Sequence, residues 1–266
     1  MNIREPVVAG KFYPKERKIL NKTLTSLMTD NPQKDIKGIM MPHAGYIYSG
    51  KTAGIAASSI KNADRVIILG PKHTPNGAMG AVSPCNIWRT PLGDVKIDRE
   101  LADKIAMCHL LESDKEAHLY EHSIEVLLPF LQKNNPDIKI VPIAINFHKI
   151  EILKEIAEHI LSILKSLKKV PVIVISSDMS HYINAEEAGH QDRKAIDKMI
   201  DLDAEKLFNT VISEKISMCG FIPATLALML LKELGAKKGI LLSYTNSGET
   251  SGDFSQVVSY AGMIFK

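Results

Sequence analysis

Nine histidines and three cysteines are the side chains of this 266-residue chain best suited to metal or nucleophilic chemistry, and several of them occupy comparable places. A histidine follows each of four apolar runs. KGIMM (37–41) leads into Pro42-His43-Ala44-Gly45-Tyr46, and RVIILG (65–70) into Pro71-Lys72-His73-Thr74. VPVIVISS (170–177) leads into Asp178-Met179-Ser180-His181-Tyr182, and IKIVPIAI (138–145) into Asn146-Phe147-His148. Neutral imidazole is the commonest metal ligand and a natural base near neutral pH. Two strand-end histidines plus a third ligand would hold iron, copper or zinc. Any one of these histidines alone reads more simply as a loop residue bonded to a backbone carbonyl; the recurrence at His43 and His73 is what favours a shared site. His148 stands apart, because a lysine and an amphipathic helix follow at once. His109, His159 and His190 fall in helical patterns and are expected to face solvent.

Cys219 is the second signal. It lies in Ser217-Met218-Cys219-Gly220-Phe221, at the start of an apolar helical stretch. A thiol at a helix N-terminus is expected to have a depressed pKa, and thiolate is both a nucleophile and a soft ligand. A buried core cysteine is the alternative; Cys85 and Cys108 are read that way. Asp178 and His181, three apart, would pair as a base with its orienting carboxylate, or belong to a helix-capping cluster with Ser176, Ser177 and Ser180. In Glu121-His122-Ser123, Ser123 would cap a helix while His122 projects toward the sheet edge; His118 is expected to be exposed. No GxGxxG, GxxxxGK[ST] or GxSxG motif is present, which leaves the usual nucleotide and serine-hydrolase sites unsupported. The turn-rich 248–253 reads as a plain connection.

The elements that must position these groups alternate in kind. Helical spacing marks 15–29, 50–60, 98–108, 123–133, 149–166, 185–200, 203–213 and 219–234. Short apolar strands separate them, and two strands without an intervening helix close the chain at 239–245 and 255–265. This predicts one α/β domain spanning 1–266: a mostly parallel central sheet, helices on both faces and an antiparallel C-terminal edge. Ligands of such sheets bind beyond the carboxyl ends of the strands, where the histidines fall. Residues 71–93 are the longest irregular stretch and thus a candidate functional loop. Composition adds exclusions. Thirty-three basic against thirty acidic residues is too balanced for a dedicated nucleic-acid binder. No run is long enough for a membrane span, the N-terminus lacks a signal-peptide pattern, and the sparse cysteines suggest a reducing compartment. A cytoplasmic protein is expected.

Several segments, in order and over nearly the whole chain, resemble the Memo family. They are PVVAGKFYP (6–14), MPHAGYIYSG (41–50), LGPKHT (69–74), WRTPLGDV (88–95), EHSIEVLLPFLQ (121–132), SSDMSHY (176–182), MCGFIPATLAL (218–228) and YTNSGETSGDFSQVVSYAGMIF (244–265). The family's fold is similar to the LigB subunit of class III extradiol dioxygenases. The resemblance implies a metal pocket at His43, His73 and Cys219, with Asp178 and His181 lining it and His122 a further motif position. The related dioxygenases have a carboxylate where Cys219 stands. A thiolate favours softer ions such as copper, so ring cleavage does not follow from the fold. Iron or copper binding and redox activity are implied, and microbial members suggest radical SAM and AMMECR1-type proteins as partners.

Three functions compete on this basis. The first is a metal-dependent oxidoreductase with a proton moved by His181. The second is a non-catalytic binding or adaptor module whose pocket takes a small molecule, peptide or protein partner. The third is a metal-free transferase or hydrolase using Cys219 as nucleophile and His181 as base.

Overall fold

The computed structural model describes residues 2–61 and 63–266. In chain order the strands are β1 (Ile3–Arg4), β2 (Gly38–Met41), β3 (Arg65–Pro71), β4 (Gly80–Val82), β5 (Ile87–Thr90), β6 (Gly93–Ile97), β7 (Glu112–Ser113), β8 (Lys139–Ile145), β9 (Val172–Ser176), β10 (His181–Ile183), β11 (Gly239–Asn246) and β12 (Val257–Phe265). The helices are α1 (Arg17–Leu27), α2 (Tyr46–Ser58), α3 (Arg99–Ile105), α4 (Glu116–Leu119), α5 (Leu128–Asn134), α6 (Ile150–Leu164), α7 (Ala185–Ile200), α8 (Ala204–Ser213), α9 (Phe221–Glu233) and α10 (Gly248–Ser251).

The strands join in one sheet, ordered β1-β5-β6-β8-β3-β9-β2-β12-β10, with β11 along β12 and β4 along β8. From β6 through β8, β3 and β9 to β2, every neighbour is parallel. Both faces of these central strands are covered, so their sequences are continuous apolar runs rather than alternating ones. Ile67, Ile68, Leu69, Ile173, Val174 and Ile175 are fully buried. β12 runs antiparallel to β2 and to β11, the closing edge that the absence of a helix between the last two apolar runs predicts.

Helices cover the two faces. α2 packs on β2, β11 and β12, and α9 packs on β3 and β9. α2 is rich in small residues, which lets α1 approach closely: a methyl group on Gly54 would collide with the Leu27 carbonyl oxygen. α6 buries Leu153, Ile156, Ala157, Ile160, Leu161 and Leu164, one stripe at helical spacing. α9 is apolar around most of its circumference because α6 and α8 cover its outer side. No helix among the described residues is long and apolar enough to cross a membrane.

Two sequence expectations need correction. Residues 71–93 are not one long irregular loop. β4 and β5 lie within them, held by pairing with β8 and β6, and three- and four-residue strands leave too little periodicity to read. His118 is buried rather than exposed: it sits in α4 with its ring edge on Trp88, 5.5 Å between centroids. His109 and His190 are exposed as expected, although His109 lies in a turn, and His159 is half-buried.

Candidate metal centre

β3, β9 and β2 are adjacent and parallel, so the segments leaving their carboxyl ends emerge side by side. His43 follows β2, His73 follows β3 and Asp178 follows β9. The loops are stitched together. The Asp178 carboxylate accepts the backbone N–H of His43 at 2.8 Å and of Ala44 at 3.3 Å. Ser123 donates its hydroxyl to the Pro71 carbonyl, 2.9 Å, in place of the helix cap the sequence suggested.

His43 forms the floor, with 2% of its side chain exposed, while His73 and His122 stand at the mouth with 33% and 25%. The three rings cluster, with centroids 5.2 Å (His43–His73), 5.4 Å (His43–His122) and 4.8 Å (His73–His122) apart, the last pair stacked. On the other side of His43 lies Cys219, its sulfur 3.3 Å from His43 Nε2. Asp178 Oδ2 is 3.9 Å from the same nitrogen. Two triads therefore have one ligand atom each within 4.8 Å of one another: His43, His73 and His122, and His43, Asp178 and Cys219. The set implied by the resemblance, His43, His73 and Cys219, straddles both. His43 is the shared member.

The hydrogen bonds fix which nitrogen of His43 is available. Ser176 donates its one hydroxyl proton to the Ser123 carbonyl, 2.6 Å. His43 Nδ1, 2.8 Å from the same hydroxyl oxygen, must therefore be the donor of that second contact. Nε2 is left with a free lone pair, the form a metal requires. Burial, reinforced by His122 and His73, pushes the His43 pKa well below its ordinary value, so the ring is neutral at pH 7. Burial also lowers His122.

Cys219 departs from expectation. It does precede α9, but its thiol pKa is raised, not depressed. Burial is the main cause and the negative charge of Asp178 the second. A helix N-terminus contributes too little to offset both. Asp178 itself is pushed upward by burial, against the opposing backbone N–H bond from His43. The loop from β9 reaches Cys219 closely: Asp178 N–H donates to the sulfur at 3.3 Å, and a methyl group on Gly220 would collide with the Ser176 carbonyl oxygen.

His181 is not paired with Asp178. Its Nδ1 faces the Ser217 carbonyl at 2.9 Å and its backbone N–H donates to Ser217 Oγ, while β10 pairs with β12. His148 is exposed and bonds Asn146. Cys85 and Cys108 are buried, as read from the sequence. Residues 248–251, read as a connection, form the single turn α10.

Three residues of this region have no sequence signal strong enough to find them. Glu121, fully buried, accepts His73 N–H at 2.5 Å and lies 2.9 Å from His73 Nδ1. Burial opposes its ionisation, but the bond and charge of His73 and the backbone N–H groups of Ser123 and His73 outweigh that and hold its pKa below the usual carboxylate range. Glu125, also fully buried, accepts from Arg4 at 2.7 Å, from Tyr13 Oη at 2.7 Å and from the N–H groups of Val7 and Val8. Arg4 also donates to the His118 and Glu121 carbonyls and lies 4.2 Å over the Trp88 ring. The N-terminal segment is thus strapped across the back of 118–125, and its Phe12 ring packs on His122, 4.9 Å between centroids. Only the adjacency of Glu121 to His122 hints at any of this in the sequence.

Residues 4–264 match the family model described as "Memo-like protein". The chain is similar to a "MEMO1 family protein" of Aquifex aeolicus, 46% identical over 268 residues and covering 100% of both chains. It is also similar to one of Methanosarcina acetivorans, 38% identical with 99% of each chain covered. A third, from Archaeoglobus fulgidus, is 38% identical over 99% of this chain and 100% of its own.

Proposed function

Since the chain belongs to the Memo family, we propose that it binds one redox-active metal ion, iron or copper, in the pocket around His43, and that it is a metal-dependent oxidoreductase related to non-haem dioxygenases. The observation that carries this reading is His43 itself: a buried, neutral imidazole with Nδ1 engaged and Nε2 free, set between His73 and His122 on one side and Cys219 and Asp178 on the other. The donor set suits the group. Imidazoles accept iron and copper, and a thiolate adds preference for copper. A bound ion would supply one-electron chemistry that no side chain of the pocket offers.

The protein's own groups have separable tasks in this reading. His43 and His73 would hold the ion, joined by Cys219 or by His122. Cys219, whose thiol sits against His43 Nε2, must lose its proton to become a ligand. Asp178, with a carboxylate oxygen within 4.8 Å of the sulfur and a pKa raised by burial, would take up that proton. His181, half-buried with Nδ1 facing a carbonyl, keeps Nε2 for proton transfer with a bound substrate or solvent.

Metal analysis of anaerobically purified protein tests the reading. Wild type should carry about one iron or copper per chain, His43→Ala none, and Cys219→Ala less, with oxygen uptake following occupancy. Wild-type protein that takes up neither metal after reconstitution would sink it. The raised thiol pKa weighs against the metal-free nucleophile reading.

A second reading is favoured by one feature. A groove of about 450 Å³ runs beside the pocket, lined by Gly10, Lys11, Phe12, Tyr13, Pro14, Thr23, Leu27, Tyr46 and Ile47. Phe12 links it to His122. In this reading the chain is a binding or adaptor module, with radical SAM and AMMECR1-type proteins as proposed partners. Partner binding that survives both metal stripping and His43→Ala, but not Ile47→Asp, would support it over the first.

A further inference from the structure

The strand ends bring two imidazoles together, yet a ring nitrogen can ligate only when its lone pair is free. For each histidine two tautomers compete, and only one presents Nε2. Both choices trace to the same three residues, 121–123. On the His73 side, Glu121 Oε2 accepts His73 N–H at 2.5 Å, and Oε1 accepts Ser123 N–H at 2.9 Å. Both carboxylate oxygens are thereby committed as acceptors, so the 2.9 Å contact from His73 Nδ1 to Oε1 is an Nδ1–H donation. On the His43 side, the Ser123 carbonyl takes the Ser176 hydroxyl proton at 2.6 Å, which forces His43 Nδ1 to donate to Ser176 Oγ. The contacts meet at one residue: the His73 ring and Ser123 N–H on Glu121, and the Ser123 carbonyl on Ser176, which faces the His43 ring.

We propose that Glu121 and Ser176 are positioning residues: Glu121 locks His73, and Ser176, its hydroxyl proton held by the Ser123 carbonyl, locks His43 in the Nδ1–H tautomer, so that the two Nε2 lone pairs are presented to a metal. The tautomer lock stands on the metal-free structure; its use for metal rests on the function proposed above. The segment is well placed for the task. Glu121 and Ser123 are fully buried, the Glu121 carbonyl is held by Arg4 at 2.6 Å, and Ser123 Oγ is tied to Pro71 two residues before His73. A carboxylate accepts all three donors at once, which an amide of the same shape cannot. In Glu121→Gln, the amide oxygen can accept from one of the backbone N–H groups, but the NH₂ must then face the other acceptor position. With the oxygen on His73 N–H, the NH₂ donates toward His73 Nδ1, and the ring must carry its proton on Nε2. The ligand lone pair disappears with a change of one atom.

Two measurements on the full chain test this. The first is ¹⁵N-resolved NMR of the histidine rings in metal-free protein near pH 7. Wild type should show His43 and His73 as Nδ1–H tautomers. Glu121→Gln should move His73 to Nε2–H while leaving His43 bonded to Ser176, and Ser176→Ala should release His43 while leaving His73 unchanged. The second is Zn(II) affinity, with zinc as a redox-silent probe in competition with a chromogenic chelator. Each variant should lose about 10–100-fold, the effect of removing an outer partner of a ligating histidine, at unchanged stoichiometry. A metal-free melting temperature checks folding, and Ser176→Ala, which leaves no buried charge unpaired, keeps the test open if Glu121→Gln does not fold. His73 remaining Nδ1–H in Glu121→Gln, with Zn(II) affinity intact, would overturn the proposal. Tautomers that shift as expected in a protein that binds no metal would uphold the lock and remove the metal reading instead.

Discussion

The two sides of His43 are built on opposite principles. On the side of His73 and His122, nitrogen lone pairs are prepared in advance. Burial disfavours the charged forms of His43 and His122, and a buried carboxylate sets His73. Behind them, the Arg4–Glu125 strap anchors the 118–125 segment. On the side of Cys219 and Asp178, the thiol proton is retained. The thiol pKa is raised, and burial pushes the carboxyl up as well. A metal entering the first side displaces little, whereas one entering the second must release a proton. Ligand softness draws copper to the second side, and preorganisation favours the first. One free lone pair on His43 joins both.

That contrast breaks or stands on a set of substitutions. His43→Ala has the largest expected effect, because it removes the shared member of both triads. Binding of any transition metal should fall beyond the roughly 10–100-fold expected for an outer partner. His122→Ala and Cys219→Ala should divide the loss by metal: the first weakens Zn(II) and Fe(II) more, the second Cu(I). The Cys219-dependent part should strengthen as pH rises, since the thiol must ionise. Calorimetric titrations of the three variants at two pH values check the pattern. Equal losses for every metal in both single variants would show that the two sides act as one site.

Next in size is the strap. Arg4→Met leaves Glu125 charged and fully buried, retaining only Tyr13 and two backbone N–H groups. Removing one partner of such a buried pair costs about 3–5 kcal/mol. Urea unfolding should show that loss, and the His73 side should loosen with it. A loss under about 1 kcal/mol would mean that the strap is dispensable.

How much of this is readable in the sequence follows from the range of each interaction. The apolar runs at β2, β3 and β9 and the residues just beyond them are local signals, so spacing alone places His43, His73 and Asp178 at one sheet edge. The Arg4–Glu125 pair joins residues 121 positions apart, and no local pattern announces it. Glu121 is visible beside His122, but its role depends on β3 bringing His73 over it. His118 escapes a sequence reading because the four residues of α4 are too few to show a buried stripe. Cys219 escapes it for a different reason: the helix-terminus argument counts a dipole, whereas its pKa is dominated by burial and by Asp178, which arrives from another strand. The expected Asp178–His181 hydrogen bond does not form, because the Ser217 carbonyl, 36 residues away in sequence, engages His181 Nδ1 instead.

His118 gives a pH test of the scaffold behind the histidine side. Burial chiefly, and then the Arg4 charge, lower its pKa from 6.5 to about 4. Its Nε2 bonds the Ala81 carbonyl, and its buried Nδ1 has no partner among the described residues. The unfolded chain therefore binds a proton near pH 6.5 that the folded chain refuses until about pH 4. Stability is whole above that window and declines as pH falls through it, by roughly 3 kcal/mol in total. In His118→Gln, chemical denaturation between pH 7 and 4 should show a flatter acid limb. An acid limb as steep as in wild type would assign the loss to other groups.

The smallest expected effect has the opposite sign and comes from the cysteine side. Asp178 is an acid whose folded pKa is raised, so the folded chain keeps its proton over a window in which the unfolded chain has released it. Stability contributed by this group is present at low pH, falls as pH rises through the window and stays lost above it. An asparagine in its place would carry no such cost, and the amide oxygen can still accept the His43 and Ala44 N–H groups. Asp178→Asn should therefore raise the stability of metal-free protein at pH 8, on the order of 1 kcal/mol. It should also speed alkylation of Cys219, because the charge that helps hold the thiol protonated is gone. Copper affinity should drop in the same variant, since a candidate ligand is lost. A stabilised, more reactive, weaker-binding protein would mean that the buried Asp178 charge is maintained at a cost in stability for the sake of binding. A destabilised variant with an unchanged thiol would mean that Asp178 serves the fold by holding the β2 and β9 loops together, and that the contrast between the two sides of His43 lies in packing rather than charge.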